Sequence, residues 1–353
     1  MKALIAMSGG VDSSVAAYLT QQAGYECAGC TMKLYDNSDA GLSGGKTCCS
    51  LTDLEDARAV AERLGMPYYV FNYTEEFREK VIGRFVAAYE AGITPNPCID
   101  CNHFLKFDAL LERALLSGYD KLVSGHYARI RREGDCYHLL KGLDPGKDQS
   151  YVLYSLSQGQ LAHMLFPLGE LSKEEVRALA RQQGLVNAAK PDSQDICFVP
   201  EGDYARVIEL HRGRPAEPGD FVDENGKVLG RHRGLIHYTI GQRRGLGLSL
   251  PASLYVLRLD TENNQVILGP EEALFSKQAR VKEVNWISGH APKEPLLAQV
   301  KIRYRQAAAE ARLMPQDEGH VLIEFSQAQR AITPGQAAVF YQGEEVLGGG
   351  TIQ

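Results

Sequence analysis

No stretch of this 353-residue chain is apolar for long enough to span a membrane, and its opening, MKALIAM, meets Gly9 and Gly10 after only a short apolar run, unlike a secretory leader. The expectation is a cytoplasmic protein. Overall positive charge is lacking too: the net charge is −6, which argues against a protein basic all over. Structural disulfides are not expected, because a reducing compartment keeps thiols reduced, so the eight cysteines point to metal or catalytic duty. What is present is ordinary for a globular protein, with 44% hydrophobic and 23% charged residues, and the length suffices for two or three cores.

Charge is nonetheless uneven. Between Asn225 and Leu259 stand six basic side chains, Lys227, Arg231, Arg233, Arg243, Arg244 and Arg258, and no acidic one. That patch is either a solvated loop surface or a grip on a polyanion. The N-terminal segment is more specific. KALIAM has the length of a strand, SGGVDSS follows at once, and VAAYLTQQAG reads as a helix stopped by Gly24. A strand, a loop of small residues and a helix make a phosphate cradle: Gly9 and Gly10 admit an anion to the backbone, Ser8, Ser13 and Ser14 add donors, and the helix N-terminus contributes its dipole. Asp12 is out of place beside an anion unless a cation lies between them, which implies Mg2+. For the letters SGG alone, a plain Gly-Ser turn is the competing reading.

AGLSGGKT, residues 40–47, resembles a Walker loop, but Ala40 stands where the first glycine belongs, no strand leads in, and the helix LTDLEDARAVAERLG starts late, so it reads as a surface loop. Cys27 and Cys30 lie three apart in a strand, hence on opposite faces, and read as packing residues. MPYYVFNY reads as a strand, EEFREKVIGRFVAAYEAG and NHFLKFDALLERALLSG as helices, and DKLVSGHYARI as a strand with a Gly-His-Tyr loop. Strands alternating with helices argue for an α/β domain with a doubly wound parallel sheet, whose ligands gather beyond the carboxyl ends of the strands; SGGVDSS and SGHY are expected to share a pocket there. On its own, His126 reads as a structural hydrogen-bonding residue sooner than as a catalyst. The domains are expected at 1–200 (α/β), 201–271 (a small β-rich unit with a DENGK hairpin turn and the basic patch) and 272–353 (short strands and turns, a small β-barrel).

Eight separated segments, MSGGVDSS, TPNPCIDCN, SGHYAR, GKDQSYVLYSL, DSQDICF, HYTIGQRRGLG, IRYRQ and TPGQAAVFY, resemble in this order the tRNA-specific 2-thiouridylase (MnmA) family, within the PP-loop ATP pyrophosphatase superfamily. The resemblance runs nearly end to end. It implies ATP-dependent 2-thiolation of the wobble uridine, U34, in the anticodon stem-loop of tRNA. ATP would be held by Ala6, Met7, Ser8, Gly9, Gly10, Val11, Asp12, Ser13 and Ser14, with Met32 and Gly125. The RNA contacts would fall on Asn96, Pro97, Cys98, His126, Lys147, Asp148, Gln149, Arg303, Tyr304 and Gln336, joined by Arg243 and Arg244 of the basic patch. A persulfide-donor protein, a desulfurase or a sulfur relay, would supply the sulfur, and a monomer is the expected state.

The C2 carbonyl of uracil is a poor electrophile whose oxygen does not leave, so AMP must first be transferred to that oxygen. Cys197 matches the family cysteine that carries a persulfide, and Cys101 the thiol that attacks it, liberating sulfide or closing a disulfide; Asp12 counts with them as catalytic. The chain departs from the familiar bacterial motif at Cys98, where that form has an aspartate; Asp100, two residues on, is a partial substitute. The third thiol keeps two further readings open: Cys98, Cys101 and Cys197 ligating three irons of a [4Fe–4S] cluster that carries sulfide, or a CxxC pair that is inert or merely redox-active. Another PP-loop enzyme, adenylating a small molecule, is the alternative to tRNA thiolation.

Overall fold

The computed structural model describes residues 1–35, 51–192, 196–199, 202–248 and 252–353; the Walker-like stretch at 40–47 and residues 193–195 of DSQDICF lie outside them. The chain begins β1 (Lys2–Ala6), α1 (Val11–Gln22), β2 (Glu26–Lys33), α2 (Leu51–Arg63) and β3 (Tyr68–Asn72), followed by long helices α3 (74–90) and α4 (97–116), each with a wide π-turn in its middle. After α4 come β4 (Lys121–Val123), the hairpin β5 (Ala128–Glu133) and β6 (Cys136–Lys141), α5 (Gln158–His163), β7 (Met164–Leu165) and α6 (Lys173–Gln182).

Strands β3-β2-β1-β4-β7 form one parallel sheet in that order. Alternation divides its side chains between two cores, as period-2 geometry requires. Ala3, Ile5 and Met7 pack with Val15 of α1, Val60 of α2 and Val176 of α6; Leu4 faces the other way, toward Phe77 and Phe85 of α3 and Leu105 of α4. Cys27 and Cys30 fall in opposite cores, as their spacing predicts. The sheet is therefore doubly wound. Strand order reverses between β1 and β4, so the crevice at their carboxyl ends is the topological switch point.

Helix α7 (Tyr204–Arg212) leads into the second unit, a four-stranded sheet of β8 (Gly219–Asp223), β9 (Val228–His232), β10 (Tyr255–Asp260) and β11 (Gln265–Gly269), ordered β10-β11-β8-β9 around Phe221, Val256 and Leu268. DENGK does turn the β8–β9 hairpin: the Asp223 carboxylate accepts from the amides of Asn225 and Lys227, each at 2.9 Å. The third unit comprises β12 (Phe275–Trp286), β13 (Leu296–Lys301), β14 (Ala309–Pro315), β15 (Val321–Arg330), β16 (Ala337–Gln342) and β17 (Glu345–Ile352). These six strands close into a barrel through pairing of β12 with β17.

The hairpin β5–β6 belongs to this barrel's sheet as much as to the α/β unit. Leu139 and Leu140 of β6 pair with Val346 and Glu345 of β17. Beneath that seam Ala337, Val339, Tyr341 and Val346 share one core with Leu105, Tyr151 and Phe198. No helix among the described residues is long and apolar enough to cross a membrane.

Candidate active site and nucleic-acid interface

Helix α1 starts at Val11, four residues before the apolar run that signals it, so SGGVDSS is half loop and half first helical turn. The hydroxyls of Ser13 and Ser14 turn back onto the Gly10 carbonyl at 3.0 and 3.1 Å, and the Ser8 amide donates to Ser13 Oγ at 3.2 Å. No side chain caps α1, which leaves its first amides available to an anion. Gly9 has φ +73°, and a Cβ there would stand 2.3 Å from the Asp53 carbonyl at the start of α2. Only glycine fits. Beneath the loop, Asn187 Nδ2 donates to the Gly9 carbonyl (3.0 Å) and Ser14 Oγ (2.8 Å), and Lys190 reaches the same carbonyl at 3.2 Å while paired with Asp53 and Asp56. Burial would lower the Lys190 ammonium, but the hydrogen bonds it donates to the two aspartates reverse the effect and raise it.

The loop after β4 meets this cradle as expected. A Cβ at Gly125 would lie 2.8 Å from the Ser13 amide, so the two loops touch across the switch point. Tyr127, two residues on, donates to Asp12 Oδ1 at 2.8 Å. His126 points away from them: it is 8% exposed, its Nδ1 lies 2.8 Å from Ser124 Oγ, and its ring packs against Phe107 and Phe166. Burial, with Lys106 adding, holds it well below the ordinary imidazole value, so it is neutral at neutral pH.

Asp12 carries the counter-charge that its position demands, but as an ammonium: Lys173 Nζ lies 2.7 and 2.8 Å from its two carboxylate oxygens. Lys173 also meets Asp192 at 2.8 Å, and Asp192 in turn holds Lys147 (2.7 Å) and Arg177 (2.9 Å). Burial alone would raise the Asp192 carboxyl; the hydrogen bonds from Lys147 and Lys173 outweigh it and set it at about 2. Among the described residues no three His, Cys, Asp or Glu side chains are grouped to hold a metal ion. Asp12 is engaged by the Lys173 ammonium, and among the described residues Cys98, Cys101 and Cys197 do not form such a group.

Asn96 caps α4 by accepting from the Cys98 amide at 3.2 Å, with Pro97 as the first helical residue. The thiols therefore sit on the first two turns of a helix, Cys98 exposed and Cys101 half-buried against the core. Burial pushes the Cys101 thiol up, Lys106 draws it partly back, and Asp100 adds to the rise. Asp100 itself is raised to about 6, chiefly by burial, with Arg84 at 3.5 Å opposing. Cys197 is fixed through its backbone: Tyr35, just beyond β2, donates to its carbonyl at 2.6 Å, and Phe198 wedges edge-on between Phe77 and Phe85. The segment that bears Cys197 is thus held near one end by Lys173, hence to Asp12, and at the other by the strand beside β1.

The residues expected at the RNA converge in part. Tyr304 of the barrel is exposed and reaches the Asp148 carbonyl at 3.4 Å, and Gln336 donates to the carbonyl of Thr94 at 2.8 Å, so the barrel rests on both the 94–98 and 146–149 segments. Several of these polar groups serve the protein itself. Asp148 accepts from Gly142 and Ser150, Gln149 from the Tyr127 amide, and Arg303 donates to Ala331 and Thr333. In the basic patch Arg231 pairs with Asp220 (3.6 Å) and Arg258 with Asp260 (3.9 Å), acids just outside the counted window. Arg243 and Arg244 stand exposed and, among the described residues, without an ion pair.

Sequence reasoning missed Tyr35, Tyr127, Lys173, Asn187, Lys190 and Asp192. One signal was present: Ser172 and Glu175 form a capping box that announces α6, although not where its first lysine reaches.

Residues 1–201 match the family model of the tRNA methyl transferase HUP domain, 209–270 that of the tRNA methyl transferase PRC-barrel domain, and 276–352 that of the aminomethyltransferase beta-barrel domain. The tRNA-specific 2-thiouridylase MnmA of Magnetococcus marinus is 51% identical, covering 99% of this chain and 98% of its own. That of Acetivibrio thermocellus is 47% identical over 100% and 99%, and that of Geotalea uraniireducens 48% over 100% and 95%. Three domain matches in order, and near-complete overlap at about half identity, place this chain in the tRNA-specific 2-thiouridylase (MnmA) family.

Proposed function

We propose that the protein is a tRNA-uridine 2-sulfurtransferase that uses ATP to activate the C2 oxygen of the wobble uridine and replaces it with sulfur carried on Cys197. The observation that carries this reading is the double anchoring of the Cys197 segment, through Asp192 and Lys173 to the glycine loop and through Tyr35 to β2. A triphosphate lies on the amides opening α1, and its α-phosphorus accepts the uracil O2 while pyrophosphate leaves. Gly9 and Gly125 let the start of α2 and the loop after β4 close onto the backbone of this cradle, where any Cβ would collide. The terminal sulfur of a Cys197 persulfide then bonds to C2 and AMP departs with the former carbonyl oxygen. Cys101 attacks Cys197 Sγ, leaving sulfur on the base and closing a Cys101–Cys197 disulfide that a dithiol must reduce before the next cycle.

Burial favours the protonated Cys101 thiol, so a base must take its proton before it attacks. The target base has to leave its stack to enter such a crevice, and exposed Arg243, Arg244 and Tyr304 supply charge and an aromatic face for the RNA around it. A cytoplasmic setting and a persulfide-donating partner complete the reading. Its test is incubation with tRNA, ATP, Mg2+ and a sulfur donor, followed by nucleoside mass analysis. The expected result is 2-thiouridine at the wobble position with AMP and pyrophosphate in equal amounts; unmodified tRNA, or ADP and phosphate instead, would refute it.

A further inference from the structure

Lys173 opens α6 within the capping box of Ser172 and Glu175 and is 9% exposed. Its ammonium crosses to the first turn of α1, where it meets both oxygens of Asp12, and it also touches Asp192. Two features set it apart from an ordinary structural pair. Asp192 is held by Lys147 and Arg177 as well, so Lys173 can leave it without stranding a buried charge. Its other partner, Asp12, stands at the uncapped N-terminus of a twelve-residue helix, where free amides already favour an anion. Lys190, the other lysine at this loop, differs: it bonds the Gly9 carbonyl from below together with Asp53 and Asp56, and so secures the backbone on the side away from the amides.

We propose that Lys173 is a phosphate ligand of this site, its ammonium passing from Asp12 and Asp192 to the phosphate oxygens when a triphosphate enters at the α1 amides. This rests on the ATP reading above. Asp12 then acts as a placeholder that keeps the lysine charged and aimed before the nucleotide arrives, and Tyr127 remains bonded to Asp12 after the lysine moves. The proposal also gives Lys147 a task away from RNA: with Arg177 it keeps Asp192 neutralised during the exchange.

The test is equilibrium binding of α,β-methylene ATP, pyrophosphate and adenosine to the full chain and to K173Q, K173R, D12N and the D12N/K173Q double variant, with thermal melting as the check on folding. K173Q is expected to weaken the ATP analogue and pyrophosphate by about 10- to 100-fold. Adenosine affinity stays unchanged, K173R retains most of the lost affinity, and the double variant stays weak. Lys173→Met, which keeps the stem, serves if the glutamine variant does not fold. Recovery of wild-type affinity in the double variant would overturn the proposal, because Lys173 would then merely neutralise Asp12. Undiminished analogue binding by K173Q, or an equal loss for adenosine, would overturn it too. If the wild type binds adenosine but neither phosphate ligand, the ATP reading falls and this proposal with it.

Discussion

The phenol of Tyr35 and the carbonyl of Cys197 are joined by a 2.6 Å hydrogen bond across 162 residues of sequence. The bond fixes the backbone of the sulfur-bearing residue without touching its thiol. Tyr35→Phe is therefore expected to slow sulfur transfer by up to about tenfold, the worth of one such bond, while leaving adenylation intact. Single-turnover assays that follow AMP-linked RNA and 2-thiouridine separately check it, and an equal fall in both steps would contradict the assignment.

Gly9→Ala places a methyl group 2.3 Å from the Asp53 carbonyl in a backbone with φ +73°. The loop must move or α2 must yield. Loss of more than about 1 kcal/mol of stability is expected, together with loss of nucleotide binding, measured by denaturant unfolding and by titration with ATP.

Asp100 tests the electrostatics beside the thiols. Its carboxyl is raised to about 6 from an ordinary 3.8, so the folded state favours the neutral form. Its contribution is fully present below the unfolded value and is lost as pH rises through about 6. Asp100→Asn is accordingly expected to stabilise the protein above pH 6 by about 1–3 kcal/mol and to change little below pH 4. Melting temperatures of both forms across that range decide the matter; identical curves would mean that the carboxylate is not held in an unfavourable site.

Residues 1–201 are not expected to fold alone. Removing the barrel exposes the β6 edge that β17 covers and strips Ala337, Val339, Tyr341 and Val346 from a shared core. The His138–Glu345 contact at 2.7 Å and the Arg129–Glu344 pair at 3.0 Å vanish with it. A fragment ending at 201 should be insoluble or molten, and co-expression with 272–353 should rescue it; a cooperative melt of the fragment alone would count against this.

Replacing Arg243 and Arg244 with alanine should weaken tRNA binding and reduce the slope of log affinity against log salt by about 1–2, with ATP affinity unchanged. Filter binding across a salt series measures both quantities. An unaltered slope would assign these arginines to solvent.

The parallel sheet was legible because its strands alternate with long amphipathic helices, and the barrel because β13 to β17 keep short apolar runs between turns. Strand β12, the longest in the barrel, was not. A register shift between Lys282 and Asn285, with Glu283 at φ +54°, breaks its alternation, and only Ala279 and Val281 are fully inward. The start of α1 was obscured because Ser13 and Ser14 are poor helix formers that here bond to Gly10. The glycine loop and the thiols could be named from their letters. Lys173, Lys190 and Tyr35 could not, since each acts on a partner more than 130 residues away, a distance that local spacing does not encode.

Tyr127 holds Asp12 at the start of α1, and Ala128, bonded to it, opens a ribbon whose far strand is stitched to the barrel. The two ends of the molecule therefore share one tether with no slack in it. A displacement of the barrel is thereby passed along β6 and β5 to Tyr127 and the carboxylate it holds.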